Sequence, residues 1–117
     1  MRMHRRVVLA AGLLALAGGA GVLAQKAPRV IKVSARRFSY TPNQIALKKG
    51  EPVTFELTTE DITMGFNVPD FGVRGDIIPG KTTRVDLTPD KTGTFTFLCD
   101  IFCGDGHEGM SGTLVVT

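Results

Sequence analysis

The sequence predicts an all-β domain, a β-sandwich or Greek-key barrel of about seven or eight short strands. Apolar and polar residues alternate in short runs. Turn-forming clusters separate those runs at regular intervals. No stretch beyond the first two dozen residues repeats with helical period.

The N-terminal segment, residues 1–24, is read as standing outside that domain. Arg2, Arg5 and Arg6 precede an apolar run from Val7 to Leu23, and Val22-Leu23-Ala24 puts short side chains where a signal peptidase needs them. A charged start, an apolar middle and a small-residue exit describe a secretory signal cleaved after Ala24. An uncleaved segment would instead be a membrane anchor, although the run is short for a span and rich in Gly and Ala. Loss of the signal alters the charge balance. The chain has 14 Lys plus Arg against 11 Asp plus Glu, and three of those basic residues leave with residues 1–24. The remainder is balanced, with no basic excess to recruit nucleic acid or an anionic membrane. The expected domain is residues 25–117, small enough that a bound metal would help its stability.

Within it the strands follow in order. Val53, Phe55 and Leu57 alternate with Thr54, Glu56 and Thr58. Thr83, Val85 and Leu87 share one face, opposite Arg84 and Asp86. Phe95, Phe97 and Cys99 form an inward face against Thr94, Thr96 and Leu98, and Leu114 and Val116 close the chain. Pro42-Asn43, Lys49-Gly50, Val68-Pro69-Asp70, Pro79-Gly80, Pro89-Asp90 and Gly104-Asp105-Gly106 supply the turns.

The chemistry is concentrated between Cys99 and Met110. This stretch holds both cysteines, the one histidine outside residues 1–24 (His107) and Met110. Two thiolates, an imidazole and a thioether make a soft donor set suited to copper, Cu(I) above all. Zinc would take the first three, but thioether ligation is foreign to it. Cys99 ends an inward strand face, so its sulfur is expected inside one end of the sandwich. Gly104 and Gly106 let the loop turn back on Cys99, and Gly109 and Gly112 are expected to release the chain into its last strand. The competing reading is a structural disulfide between Cys99 and Cys103, which export permits. Taken singly, His107 reads as a surface histidine and Met110 as a core methionine. The disulfide leaves their joint presence unexplained.

The spacing Cys99-x3-Cys103-x3-His107-x2-Met110 resembles the dinuclear copper (CuA) loop of cytochrome c oxidase subunit II and nitrous oxide reductase. The segment from Asp61 to Gly80 is similar to the subunit II stretch that brings the first histidine ligand, and Ala35–Tyr40 and Pro42–Ile45 resemble its early strands. The resemblance implies a cupredoxin fold in which the two thiolates bridge two coppers, His107 and Met110 each bind one, and Ile101 donates its backbone carbonyl. One electron shared over two bridged coppers spreads the charge change.

The sequence departs from that pattern where the first histidine should fall, at Met64. Met64 as a neutral soft ligand would favour Cu(I) and raise the potential; as a packing methionine it would leave a mononuclear or open site. Nothing here supplies the usual membrane hairpin, so the expectation is a free-standing domain. There is no tryptophan to receive electrons.

The expected function is a periplasmic one-electron carrier with one or two coppers, serving a periplasmic redox partner. The alternative is Cu(I) handling for a copper-receiving oxidase. No Ser-His-Asp set, paired-carboxylate motif or phosphate loop argues for an enzyme. Asp100, Asp105 and Glu108 read as solvated loop acids without a role.

Overall fold

The computed structural model describes residues 27–117, so the expected signal at 1–24 and its cleavage site lie outside the described residues. Nine strands follow: β1 (Arg29–Arg36), β2 (Ser39–Thr41), β3 (Gln44–Leu47), β4 (Val53–Thr59), β5 (Met64–Val68), β6 (Val73–Ile77), β7 (Thr83–Leu87), β8 (Gly93–Leu98) and β9 (Ser111–Val116). Among the described residues the only helical pieces are two 3-10 turns, Pro69–Phe71 and His107–Gly109. No helix there is long and apolar enough to cross a membrane.

The strands form two sheets, ordered β2-β1-β4-β7 and β3-β9-β8-β5-β6. Most neighbours are antiparallel, but β1 runs parallel to β4 and β3 parallel to β9, pairings that alternation alone does not specify. The predicted alternation is present where the sequence shows it. Val53, Phe55, Leu57 and Thr59 are buried along β4, and Val85 and Leu87 along β7. In β9 Leu114 and Val116 face inward, packing with Ile31 and Val33 of β1 in one core. Exposed Lys32, Ser34 and Arg36 take the opposite face of β1.

At the centre lie four rings. Tyr40 meets Phe97 edge-on at 5.0 Å, and Phe66 lies 5.1 Å from both Phe55 and Phe97. Such pairs add about 0.5–1.5 kcal/mol each beyond their burial. Along one margin the sheets meet at Gly75 of β6. A Cβ there would lie 2.7 Å from Val85 Cγ2, so the missing side chain lets β6 approach β7 and the sandwich closes like a barrel.

Topology fixes where the site falls. The last pair of the β8–β9 ladder is Leu98–Ser111, and residues 99–110 form the connection beyond it. Because Asn67 pairs with Leu98 in antiparallel register, the head of β5 runs back alongside Cys99 and Asp100. The β1–β2 turn reaches the same end, with Phe38 lying against Gly104 and Gly106.

Candidate metal centre

The loop from Cys99 to Met110 begins by extending the sheet. Cys99 N–H donates to Met110 O at 3.2 Å, one step past the last ladder pair, so the first and last donor residues are held side by side by backbone alone. The chain between them turns through Gly104 (φ 126°) and Gly106 (φ 101°), conformations that a side chain resists. His107 N–H then bonds Gly104 O, and Met110 N–H bonds His107 O, each at 3.1 Å. The expected roles of Gly104 and Gly106 are therefore observed. Gly112 acts differently from expectation: it lies inside β9, opposite Phe97, where a Cβ would run into the Phe97 ring. It is a packing glycine, and no turn depends on it.

This folding brings four predicted donors together. Cys99 Sγ lies 3.9 Å from Cys103 Sγ, and Cys103 Sγ lies 3.7 Å from His107 Nδ1 and 3.9 Å from Met110 Sδ. The Cys99, Cys103 and His107 ligand atoms all fall within 4.8 Å of one another. Both cysteines and Met110 are buried, and His107 is half-buried. The Ile101 carbonyl is 3.0 Å from Cys99 Sγ.

The donor set fits copper. Two sulfurs each about 2.3 Å from one tetrahedral ion, the zinc–thiolate length, stand about 3.8 Å apart, close to the 3.9 Å between the two free thiols. The spacing admits a metal ion, and the choice of copper rests on the donor types. Thioether and thiolate together select a soft ion. Burial, then the neighbouring Cys99, pushes the Cys103 thiol up, while the charge of Arg37 opposes them. A metal taken here therefore displaces protons.

Met64 heads β5 fully buried, on the inward face it shares with Phe66 and paired with Ile77. The contacts that tie the donors together run among Cys99, Cys103, His107 and Met110, and none involves the Met64 sulfur.

Around the donors is a shell that the sequence did not reveal. Gly65 N–H points at Cys99 Sγ at 3.4 Å, and Gly65 O accepts from the Tyr40 hydroxyl at 2.7 Å. Burial, aided by the nearby Cys99, drives the Tyr40 hydroxyl far above its ordinary range, so it stays a donor. Tyr40→Phe should cost about 1–2 kcal/mol in urea unfolding, because it strips a buried carbonyl of this donor. Asp100, read as a solvated acid, is instead gripped by Arg74, whose Nε and Nη2 donate to its two oxygens at 2.6 and 2.9 Å. Arg37 similarly grips Asp61 through Nε and its own backbone N–H, both at 3.0 Å, steadying the turn that carries Phe38. Nothing local marks these pairs, whose members are 26 and 24 residues apart. Phe102, between the cysteines, is 74% exposed, with its ring 5.7 Å from that of His107.

Residues 6–116 match the family described as "Cupredoxin-like domain". The chain is 34% identical over 86 residues to cytochrome c oxidase subunit 2 of Thermus thermophilus, covering 74% of this chain and 64% of that protein. It is 31% identical over 100 residues to nitrous-oxide reductase of Ralstonia nicotianae, covering 82% of this chain and 16% of the reductase. It thus spans just under two thirds of the first relative and a small part of the second. The periplasmic domain of cytochrome oxidase subunit II from Bradyrhizobium japonicum superposes with a TM-score of 0.72 at 23% identity, over 80% of this chain and 86% of that one, a likeness of fold. A copper binding protein in its apo form superposes with a TM-score of 0.63 at 30% identity, covering 80% and 92% of the two chains. The chain belongs to the cupredoxin-like domain family, and within that family it is related to cytochrome c oxidase subunit 2 and nitrous-oxide reductase.

Proposed function

We propose that this protein is an exported, periplasmic copper protein that carries single electrons, with Cys99, Cys103, His107 and Met110 as its ligands. The observation that carries this reading is the convergence on the buried Cys103 thiol of a second buried thiol, an imidazole nitrogen and a thioether sulfur, each within 3.9 Å of Cys103 Sγ. Bound copper supplies a one-electron couple. The chain supplies enclosure: the buried sulfurs exclude water, the Cys99–Met110 backbone hydrogen bond closes the ends of the loop at the sheet, and those from His107 and Met110 N–H brace it internally. A loop fixed at both ends loses little energy to rearrangement when charge changes. We further assign the Ile101 carbonyl, beside Cys99 Sγ, and Met64, at the head of β5, as additional weak donors. Residues 1–24 are proposed as the export signal. The partner is a periplasmic redox protein or an oxidase, and the domain is not itself catalytic.

A second reading, Cu(I) handling, is favoured by Met64, which stands, in the strand before the copper loop, where the resemblance to subunit II expects the first histidine ligand. It predicts a site that gives up metal readily, which the burial of both thiols and Met110 opposes.

The experiment is to load the reduced protein with copper, oxidise it gently, count the copper and record EPR and visible spectra. An unpaired electron shared over two coppers with strong thiolate absorption is the result expected of a dinuclear carrier. A single-copper signal gives a mononuclear one, and Cu(I) uptake without a stable oxidised form supports metal handling. No uptake after full thiol reduction rejects the metal reading. Met64→Leu conserves volume and should leave stability within about 1.5 kcal/mol, while lowering the copper count or shifting the thiolate band. An unchanged count and spectrum would make Met64 a packing residue.

A further inference from the structure

We propose that Arg74 is a positioning residue for the metal loop: by clamping Asp100 across the face of β5, it fixes the backbone that presents Cys99 and Ile101. The metal-binding part of this inference rests on the function proposed above.

Asp100 lies between Cys99 and Ile101, so anything that immobilises its carboxylate also holds the peptide units on either side. Arg74 does this as a two-pronged donor, Nε to Oδ2 and Nη2 to Oδ1. Its guanidinium is steadied in turn by Asp76, two residues on along β6, through Nη2–Oδ1 at 2.8 Å. The reach is long. Arg74 pairs with Asn67 on β5, which pairs with Leu98 on β8, so the side chain crosses the middle strand to reach the loop.

Gly65 leaves the room for it. A Cβ there would collide with Asp100 Oδ1 and lie 3.0 Å from Asp100 N. The Asp100 backbone and carboxylate therefore pack flat on β5, and from that position Gly65 N–H faces Cys99 Sγ. One bare stretch of strand serves both contacts. A flexible lysine could supply the charge but not the planar fork that fixes both carboxylate oxygens. The hydrogen bonds from Arg74 also hold the Asp100 carboxyl below its ordinary range.

The test uses Arg74→Lys and Arg74→Gln in the intact protein, with Arg84→Gln as the control. Arg84 makes a cross-strand ion pair with Glu56 through a single contact, Nε–Oε2 at 3.2 Å, on the other sheet and away from the loop. Two readouts are taken: the rate at which iodoacetamide alkylates Cys99 and Cys103 in the metal-free protein, and Cu(I) affinity by chelator competition together with the thiolate absorption band. Both Arg74 variants should alkylate faster and bind Cu(I) about 10- to 100-fold more weakly, the usual loss when a residue supporting a ligand is removed. Their absorption band should move, while R84Q matches the parent throughout. Parent-like behaviour of both Arg74 variants overturns the proposal. So does a parent-like R74K beside an altered R74Q, which would show that charge alone matters. A parent that takes up no copper overturns the functional reading, and the alkylation rates still decide the clamp.

Discussion

Cys103→Ser should abolish copper binding at stoichiometric concentration while leaving the sandwich folded. Cys103 is the hub of the cluster, the one residue whose sulfur touches the other thiol, the imidazole and the thioether. A serine hydroxyl does not ionise near neutral pH and offers a hard oxygen where a soft ion needs sulfur. Loss of a residue that merely supports a ligand already costs about 10- to 100-fold in affinity, so loss of the hub should cost more than about 100-fold. The fold should survive, because the substitution is nearly isosteric; burying the new hydroxyl should cost about 1–3 kcal/mol. Chelator competition for Cu(I) and urea unfolding of the metal-free protein measure the two quantities separately. Parent-like affinity in C103S would place the copper elsewhere. It would also leave Cys99 and Cys103 most simply explained as a disulfide pair, since their sulfurs need only close from 3.9 Å to about 2.05 Å.

Much of this was legible because strands that bury one face record the fact in their sequence. Val53-Phe55-Leu57, Val85-Leu87 and Leu114-Val116 alternate as half-buried strands must, and each is a strand with that face inward. The ligand loop was legible for a different reason: its donors come from one short stretch, so their spacing is written in order. What stayed hidden depends on contacts between distant segments. In β5, Met64, Gly65, Phe66 and Val68 are all buried, because the core covers one face and Asp100 covers the other at Gly65, and the alternation is erased. Asp100 looked like a solvated acid because its partner Arg74 lies on another strand. Phe38 falls in a stretch that resembles an early strand, and the fold instead puts it in the turn between β1 and β2, over Gly104 and Gly106.

The second large effect is expected where a glycine was misread. Gly112→Ala places a methyl group against the Phe97 ring, with Cε2 at 2.6 Å, and only 2.7 Å from the Asn43 carbonyl. That carbonyl accepts the Thr113 N–H at 2.8 Å, beside the parallel pairing of β3 with β9. Neither neighbour gives way easily, since Phe97 is fully buried against Tyr40 and Phe66. Overpacking of this kind costs about 1–3 kcal/mol, occasionally more, and the backbone contact puts this site at the upper end. Phe97→Ala alone should cost about 3–5 kcal/mol through the cavity it leaves. The double variant should then be less destabilised than the two losses added, by about 0.5–3 kcal/mol, because the added methyl group no longer meets a ring. Urea midpoints for the four proteins give this coupling directly; strict additivity would mean that the two residues do not press on each other. The consequence reaches the metal centre, since Phe97 stands two residues before Cys99 and Gly112 two after Met110. Disturbing this pair loosens the frame that holds the loop's ends together. Copper that binds the folded chain alone should recover part of the lost stability by mass action, in both single variants. A midpoint that copper fails to raise in G112A would show that the frame, and not merely the core, had been broken.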